Sequence, residues 1–104
     1  DAAARVETLA RFQEAALRHA LRFPRARRVC YSTCSVHRRE NEDVVAAVLP
    51  EAARDGWRLE PALPRWERRG LSDAFPEAEK LLRTDPALDG TDGFFVALFV
   101  RELS

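Results

Sequence analysis

Val29-Cys30-Tyr31-Ser32-Thr33-Cys34 is short and rich in β-branched and aromatic types. It runs into the polar stretch Ser35-Val36-His37-Arg38-Arg39, and then Glu40, Glu42 and Asp43 precede Val44, Val45, Val48 and Leu49. The first segment reads as a buried strand. The second reads as a loop, and the third as a helix whose first-turn acids suit the positive end of the macrodipole. Strand, loop and helix in that order mark an α/β sheet. In open sheets of this kind ligands gather outside the carboxyl ends of the strands, and Cys34 stands at such an end.

On the N-terminal side, Val6, Leu9, Phe12, Ala16, Leu17 and Ala20 recur at helical spacing with Arg and Glu between them, which predicts an amphipathic helix over about residues 3 to 22. Pro24 stops it. On the C-terminal side Pro50 is expected at or just past the end of the second helix, and Trp57-Arg58-Leu59 as a brief strand. A Pro-rich connection follows through Pro61, Pro64 and Pro76, with a helical turn over Ala78 to Arg83. Asp89-Gly90-Thr91-Asp92-Gly93 is read as a turn delivering the apolar run Phe94 to Val100 as a last buried strand, Gly93 supplying a backbone angle other residues resist. The whole resembles the second half of a doubly wound fold. Its central strands are then expected to be parallel and buried on both faces.

The 104 residues, 46% apolar and 33% charged, suit one globular domain or part of one. Net charge is zero, so the whole-chain balance gives no argument for a nucleic acid or a membrane surface. The distribution is uneven: Ala15 to Arg39 contains no acid but seven arginines, Arg18, Arg22, Arg25, Arg27, Arg28, Arg38 and Arg39. No apolar run approaches the roughly 20 residues that span a bilayer, and no secretory signal is evident, so the chain reads as soluble and intracellular with reduced thiols. It contains no methionine and is read as an excerpt of a longer chain.

Cys30 and Cys34 share one face of a strand at about 13 Å separation, at roughly 3.3 Å per residue, too far for a disulfide. With His37 they form a C-x3-C-x2-H pattern that lacks the paired spacing and ligand count of a zinc site. Cys30, between Val29 and Tyr31, is expected to be buried as a small hydrophobe. Cys34 differs by its place: a helix N-terminus, or Arg38 and Arg39, would favour a thiolate nucleophile there. Position alone leaves inert packing open.

Tyr31-Ser32-Thr33-Cys34-Ser35, then Glu40-Asn41-Glu42 with Val44-Val45, and later Asp92-Gly93-Phe94-Phe95-Val96-Ala97 form an ordered set. It resembles the C-terminal motifs of the Nol/Nop/Sun (NSUN) family of RNA cytosine-5 methyltransferases. Leu9, Gln13, Leu17 and Ala20 look like the family helix before the Thr-Cys-Ser strand, so the likeness covers essentially the whole chain. Pro61 to Pro64, Trp66 and Arg69-Gly70-Leu71-Ser72 further resemble member five of the family.

The resemblance implies the C-terminal part of a Rossmann-like, S-adenosylmethionine-dependent methyltransferase sheet with flanking helices. Residues 1–104 would form the C-terminal portion of one catalytic domain, inactive alone, whose cofactor-binding half lies upstream. By the same resemblance Cys34 is the nucleophile that adds to carbon 6 of cytosine, and the target base must be unstacked to reach it. It also implies RNA, chiefly ribosomal RNA, as partner, and a nuclear, nucleolar setting. The family's glycine loop, ribose-binding acid and Pro-Cys motif have no match here, so no residue is assigned to cofactor or metal. The competing function is a noncatalytic RNA-binding or scaffold remnant, which has no need for a thiol at position 34.

Lesser expectations complete the reading. The arginines of the acid-free window are expected mainly as a solvated helix face, with phosphate contact as the alternative. Glu40 and Glu42 are read as helix-start residues, with positioning of the catalytic loop as the alternative, Thr33 and Ser35 as loop-holding hydroxyls, and His37, a base by type, as a loop residue. Trp57 and Trp66 are read as core or loop anchors. Phe94 and Phe95 must point to opposite faces, so at most one can line a base pocket.

Overall fold

A computed structural model describes residues 1–84 and 93–103. Helix α1 (Ala2–Leu21) is capped by the Asp1 carboxylate, which accepts from Ala4 N–H at 2.8 Å. Strand β1 (Arg28–Thr33) leads through a 3-10 turn, Arg38–Glu40, into α2 (Glu42–Arg54). The short β2 (Arg58–Glu60) and β3 (Leu82–Arg83) precede β4 (Phe95–Val100). The turn expected over Asp89 to Asp92 lies outside the described residues. Gly93 has φ +85, a backbone angle that other residues resist, as expected of it.

The α/β expectation holds, with flanking helices, but the strands are not the parallel run expected. The sheet order is β1-β4-β2, with β3 also on β4, and every pairing is antiparallel. β1 and β2 therefore run the same way, joined by α2 as crossover, and β4 enters between them in the opposite sense. A parallel neighbour needs a long crossover. Between β2 and β4 the described residues offer only the 3-10 turn Ala78–Lys80, shorter than the helical turn expected over Ala78 to Arg83 because Leu82–Arg83 pair with β4, and the chain returns antiparallel.

β4 is the centre of the core: Phe95, Ala97 and Phe99 are fully buried, and they meet Leu17 and Leu21 of α1 and Val44, Val45 and Val48 of α2. Both helices cover this one face. Along β1 the half-buried Val29 and Tyr31 join the core while Arg28, Cys30 and Ser32 stay exposed. Cys30 is thus exposed, not buried as expected. Strand alternation sets its side chain on the uncovered face, across from Leu98.

α1 departs from the expected stripe as well. Ala10, Leu17 and Leu21 are buried, whereas Leu9 is 44% and Phe12 71% exposed. The helix is rolled so that Glu7 and Glu14 reach Arg39. Pro50 lies inside α2, on its exposed side, and the helix runs on to Arg54. Trp57 is core, its indole N–H donating to the Leu21 carbonyl at 3.1 Å. Trp66 anchors the Pro-rich connection through Arg83 O at 2.9 Å. Both tryptophans match the reading as anchors.

Candidate active site

Cys34 is the first residue beyond β1, exposed, at the carboxyl end of the strand. Its thiol has no hydrogen-bond partner among the described residues. The loop that carries it is held by its neighbours. Thr33 Oγ1 accepts from Ser35 N–H at 3.2 Å, and Ser35 Oγ accepts from His37 N–H at 3.0 Å, so both hydroxyls fold the loop as expected. Ser35 Oγ also donates to the Glu40 carboxylate at 2.9 Å.

Asn41 meets the loop on both sides of the cysteine. Its Oδ1 accepts from Thr33 Oγ1 at 2.5 Å, and its Nδ2 donates to Ser35 O at 2.8 Å. Tyr31 adds a hydroxyl donated to Glu40 O at 2.7 Å, and burial pushes that phenol's pKa upward, keeping it a donor.

Glu40 and Glu42 are more than helix-start residues. Both are buried, and Glu42 is completely so. Arg83 grips Glu42 through Nη2 to Oε1 at 2.7 Å and Nε to Oε2 at 2.5 Å, while Leu71 N–H donates to Oε2 at 2.9 Å. Arg83 Nη1 then reaches Val36 O at 3.2 Å, so strand β3, helix α2 and the Cys34 loop share one guanidinium. Burial pushes the Glu42 carboxyl upward, but Arg83 and the Leu71 N–H outweigh it and hold it below the ordinary range. A sequence signal for this existed: Glu42 lies three and seven residues before Val45 and Leu49, on the inward stripe of α2.

Arg38 and Arg39 do not turn to Cys34. Arg38 bonds Asp43 and Asp73, each at 3.1 Å. Arg39 bonds Glu7 at 2.9 Å and Glu14 at 2.8 Å, and hydrogen bonds from Arg39 and Arg11 lower the Glu7 carboxyl to about 2. Arg18 also pairs with acids, whereas Arg22, Arg25, Arg27 and Arg28 are exposed with no partner among the described residues. Of these four only Arg28 belongs to β1, at its far end, roughly 20 Å from Cys34 by strand rise, and the other three precede the strand. His37 lines a cleft of about 410 Å³ against Ala2, Val6 and Glu7 of α1.

Phe94 and Phe95 divide as strand geometry demands. Phe95 is fully buried, edge-on to Tyr31 at 6.2 Å, while Phe94 is 48% exposed. Thr33 is the register partner of Phe95, so Phe94 and Cys34 are each one step beyond the last pair. Thr84 fixes Phe94 by two backbone-directed bonds, Thr84 Oγ1 accepting from Phe94 N–H at 2.6 Å and Thr84 N–H donating to Phe94 O at 2.8 Å.

The described residues do not fit S-adenosylmethionine. Gly70, the tightest backbone approach, has its Cβ position filled by the Ala78 carbonyl at 2.6 Å. The buried acids that might hold a ribose are both spent inside the chain. No group of three or more His, Cys, Asp or Glu side chains suited to a metal ion occurs among the described residues, and no helix is long and apolar enough to cross a membrane.

Among solved structures, a methyltransferase homologue from Pyrococcus horikoshii superposes with a TM-score of 0.78 at 24% identity, covering 94% of this chain and 32% of that one. This shows a shared fold. The 25S rRNA (cytosine-C(5))-methyltransferase NSUN5 of Arabidopsis thaliana is 55% identical over 97 residues, 93% of this chain and 17% of that protein. The 28S rRNA (cytosine-C(5))-methyltransferase of Mus musculus is 50% identical over 97 residues, 20% of its length. The chain thus spans about a fifth of these relatives. The family model described as 16S rRNA methyltransferase RsmB/F matches residues 2–100. The chain belongs to the RsmB/F methyltransferase family, in line with the NSUN resemblance of its motifs.

Proposed function

We propose that this chain is the C-terminal portion of the catalytic domain of an rRNA cytosine-5 methyltransferase, with Cys34 as its covalent nucleophile. The observation that carries the reading is the exposed thiol at the carboxyl end of β1, on a loop tied down at Thr33 and Ser35. The Cys34 thiolate forms a bond to carbon 6 of an unstacked cytosine, and the carbon 5–carbon 6 π electrons move onto the ring. Carbon 5 is then electron-rich. Once it carries a methyl group, loss of its proton restores the double bond and expels the thiolate. S-adenosylmethionine would supply the methyl group, leaving as S-adenosylhomocysteine, and no residue of this chain is assigned to hold it. Ribosomal RNA is the substrate and the nucleolus the setting.

Among the described residues β1 pairs only with β4, leaving its other edge free, and Val96 and Leu98 lie half-buried on the face away from the helices. An upstream half of the sheet would cover both. At about 25 cal/mol per Å² of apolar area, a few hundred Å² left open forfeits several kcal/mol, so the 104 residues alone should be inactive and marginally stable.

The test uses the full-length enzyme and RNA carrying 5-fluorocytidine at the target. Fluorine at carbon 5 cannot leave as a proton, so the protein–RNA adduct persists. Wild type should give an adduct stable to denaturing gel, and Cys34→Ala none, with turnover lost. Turnover unchanged in Cys34→Ala overturns the assignment.

A further inference from the structure

We infer that Asn41 is a positioning residue for the Cys34 nucleophile, its amide closing a ring of hydrogen bonds around the cysteine's backbone. The inference rests on the reading of Cys34 above. The thiol itself has no partner among the described residues, so where sulfur points is set by the backbone of residues 33 to 35. Three bonds define that backbone: Thr33 Oγ1 to Asn41 Oδ1, Asn41 Nδ2 to Ser35 O, and Ser35 N–H to Thr33 Oγ1. They form a closed circuit with Cys34 inside it.

The chemistry of the partners fixes the amide's orientation. Ser35 O can only accept, so the NH₂ must face it, and Oδ1 is left to the Thr33 hydroxyl. An aspartate of the same shape would press a carboxylate oxygen against that carbonyl. The circuit therefore asks for an amide at this reach.

A bland alternative is helix capping, because Asn41 stands at the N-cap of α2 and asparagine is a preferred residue there. The geometry speaks against it: the Asn41 side chain makes no capping bond to the helix. Its backbone does the joining, the carbonyl accepting from Val45 N–H at 3.2 Å and the N–H donating to Arg38 O at 3.1 Å. Asn41 is fully buried, at the start of a helix whose Val44, Val45 and Val48 are core. The loop is thereby referenced to the rigid part of the fold, as a nucleophile that must meet one ring carbon requires. A misplacement of about 1 Å can cost on the order of 100-fold in rate.

The experiment compares Asn41→Asp, Thr33→Val and Thr33→Ser in the full-length enzyme. Three readouts are taken: the single-turnover rate of adduct formation on 5-fluorocytidine RNA, the RNA dissociation constant, and the rate of Cys34 alkylation by iodoacetamide in a Cys30→Ser background. Asn41→Asp and Thr33→Val should slow the adduct by about 100-fold, and Thr33→Ser, which keeps the hydroxyl, should stay near wild type. Alkylation needs no aligned ring and should change little, as should RNA affinity. Adduct formation at the wild-type rate in Asn41→Asp or in Thr33→Val overturns the inference. So does a parallel fall in alkylation and RNA affinity, the mark of a merely structural residue. If Asn41→Asp does not fold, the Thr33 pair decides. Failure of wild type to form any adduct, or turnover in Cys34→Ala, instead defeats the nucleophile reading itself.

Discussion

Arg83 and Glu42, 41 residues apart, form a two-pronged ion pair in which the carboxylate is fully buried. Breaking a buried pair from one side leaves an uncompensated charge, at a cost of about 3–5 kcal/mol. Arg83→Met should therefore loosen the start of α2 together with the Cys34 loop, which also loses the bond to Val36 O. Hydrogen exchange of the β4 amides in the full-length enzyme should rise correspondingly. Acid sharpens the effect. Glu42's carboxyl is lowered by folding, so its contribution is present above the unfolded value of about 4.3 and disappears as pH falls through the folded value. In Arg83→Met burial is opposed by the Leu71 N–H without the cation, so the acid transition should move to higher pH. Equal acid midpoints in wild type and variant would show that the pair does not hold the carboxylate down.

Trp57 couples the end of α1 to the end of the chain. Its indole N–H serves the Leu21 carbonyl, and the Arg101 guanidinium lies 4.4 Å from its ring centre while donating to Phe23 O at 2.7 Å and Ala26 O at 2.9 Å. Trp57→Phe strands a buried carbonyl and should cost about 1–3 kcal/mol. Arg101→Lys loses the planar fork that serves several carbonyls at once. Because the two side chains are in direct contact, the double variant should deviate from additivity by about 0.5 kcal/mol or more. Urea unfolding of the four proteins of this cycle measures it, and strict additivity would refute the coupling.

What the sequence made legible follows from what repeats locally. The first helix comes from periodicity, the second from its first-turn acids, the β1 and β4 strands from short β-branched and apolar runs, and the strand-end position of Cys34 from the polar loop that follows it. Strand direction did not, because the residue types of β4 are the same whichever way it runs. Cys30 was misread because an apolar run suggests two covered faces, where β1 has helices on one only. On α1, Leu9 and Phe12 fit the periodic stripe as well as Ala10 does; the choice of face was made by Glu7 and Glu14 meeting Arg39, a contact 25 to 32 residues away. Asn41 and Glu42 are residue types that begin helices. The inward stripe of α2 signals that Glu42 is buried, but nothing nearby names Arg83 as its partner or shows that Asn41 bonds the Cys34 loop.

The adjacent Phe94 and Phe95 offer a separation of stability from chemistry. Phe95 is fully buried against Tyr31, so Phe95→Ala should cost about 3–5 kcal/mol through lost contacts and a cavity. Phe94 is 48% exposed and precedes the last strand at the same end of the sheet as Cys34. Truncating it should change stability by no more than about 0.5 kcal/mol. If Cys34 is the nucleophile as proposed, an aromatic ring there would stack on the unstacked base or its neighbour, worth about 1–3 kcal/mol by alanine substitution. Phe94→Ala in the full-length enzyme should therefore melt like wild type yet lower kcat/KM on RNA by about 5- to 150-fold, the equivalent of that stacking energy. Phe94→Tyr, which keeps a stacking face, should recover most of it. If Phe94→Ala retains full kcat/KM, the ring is outside the base's path.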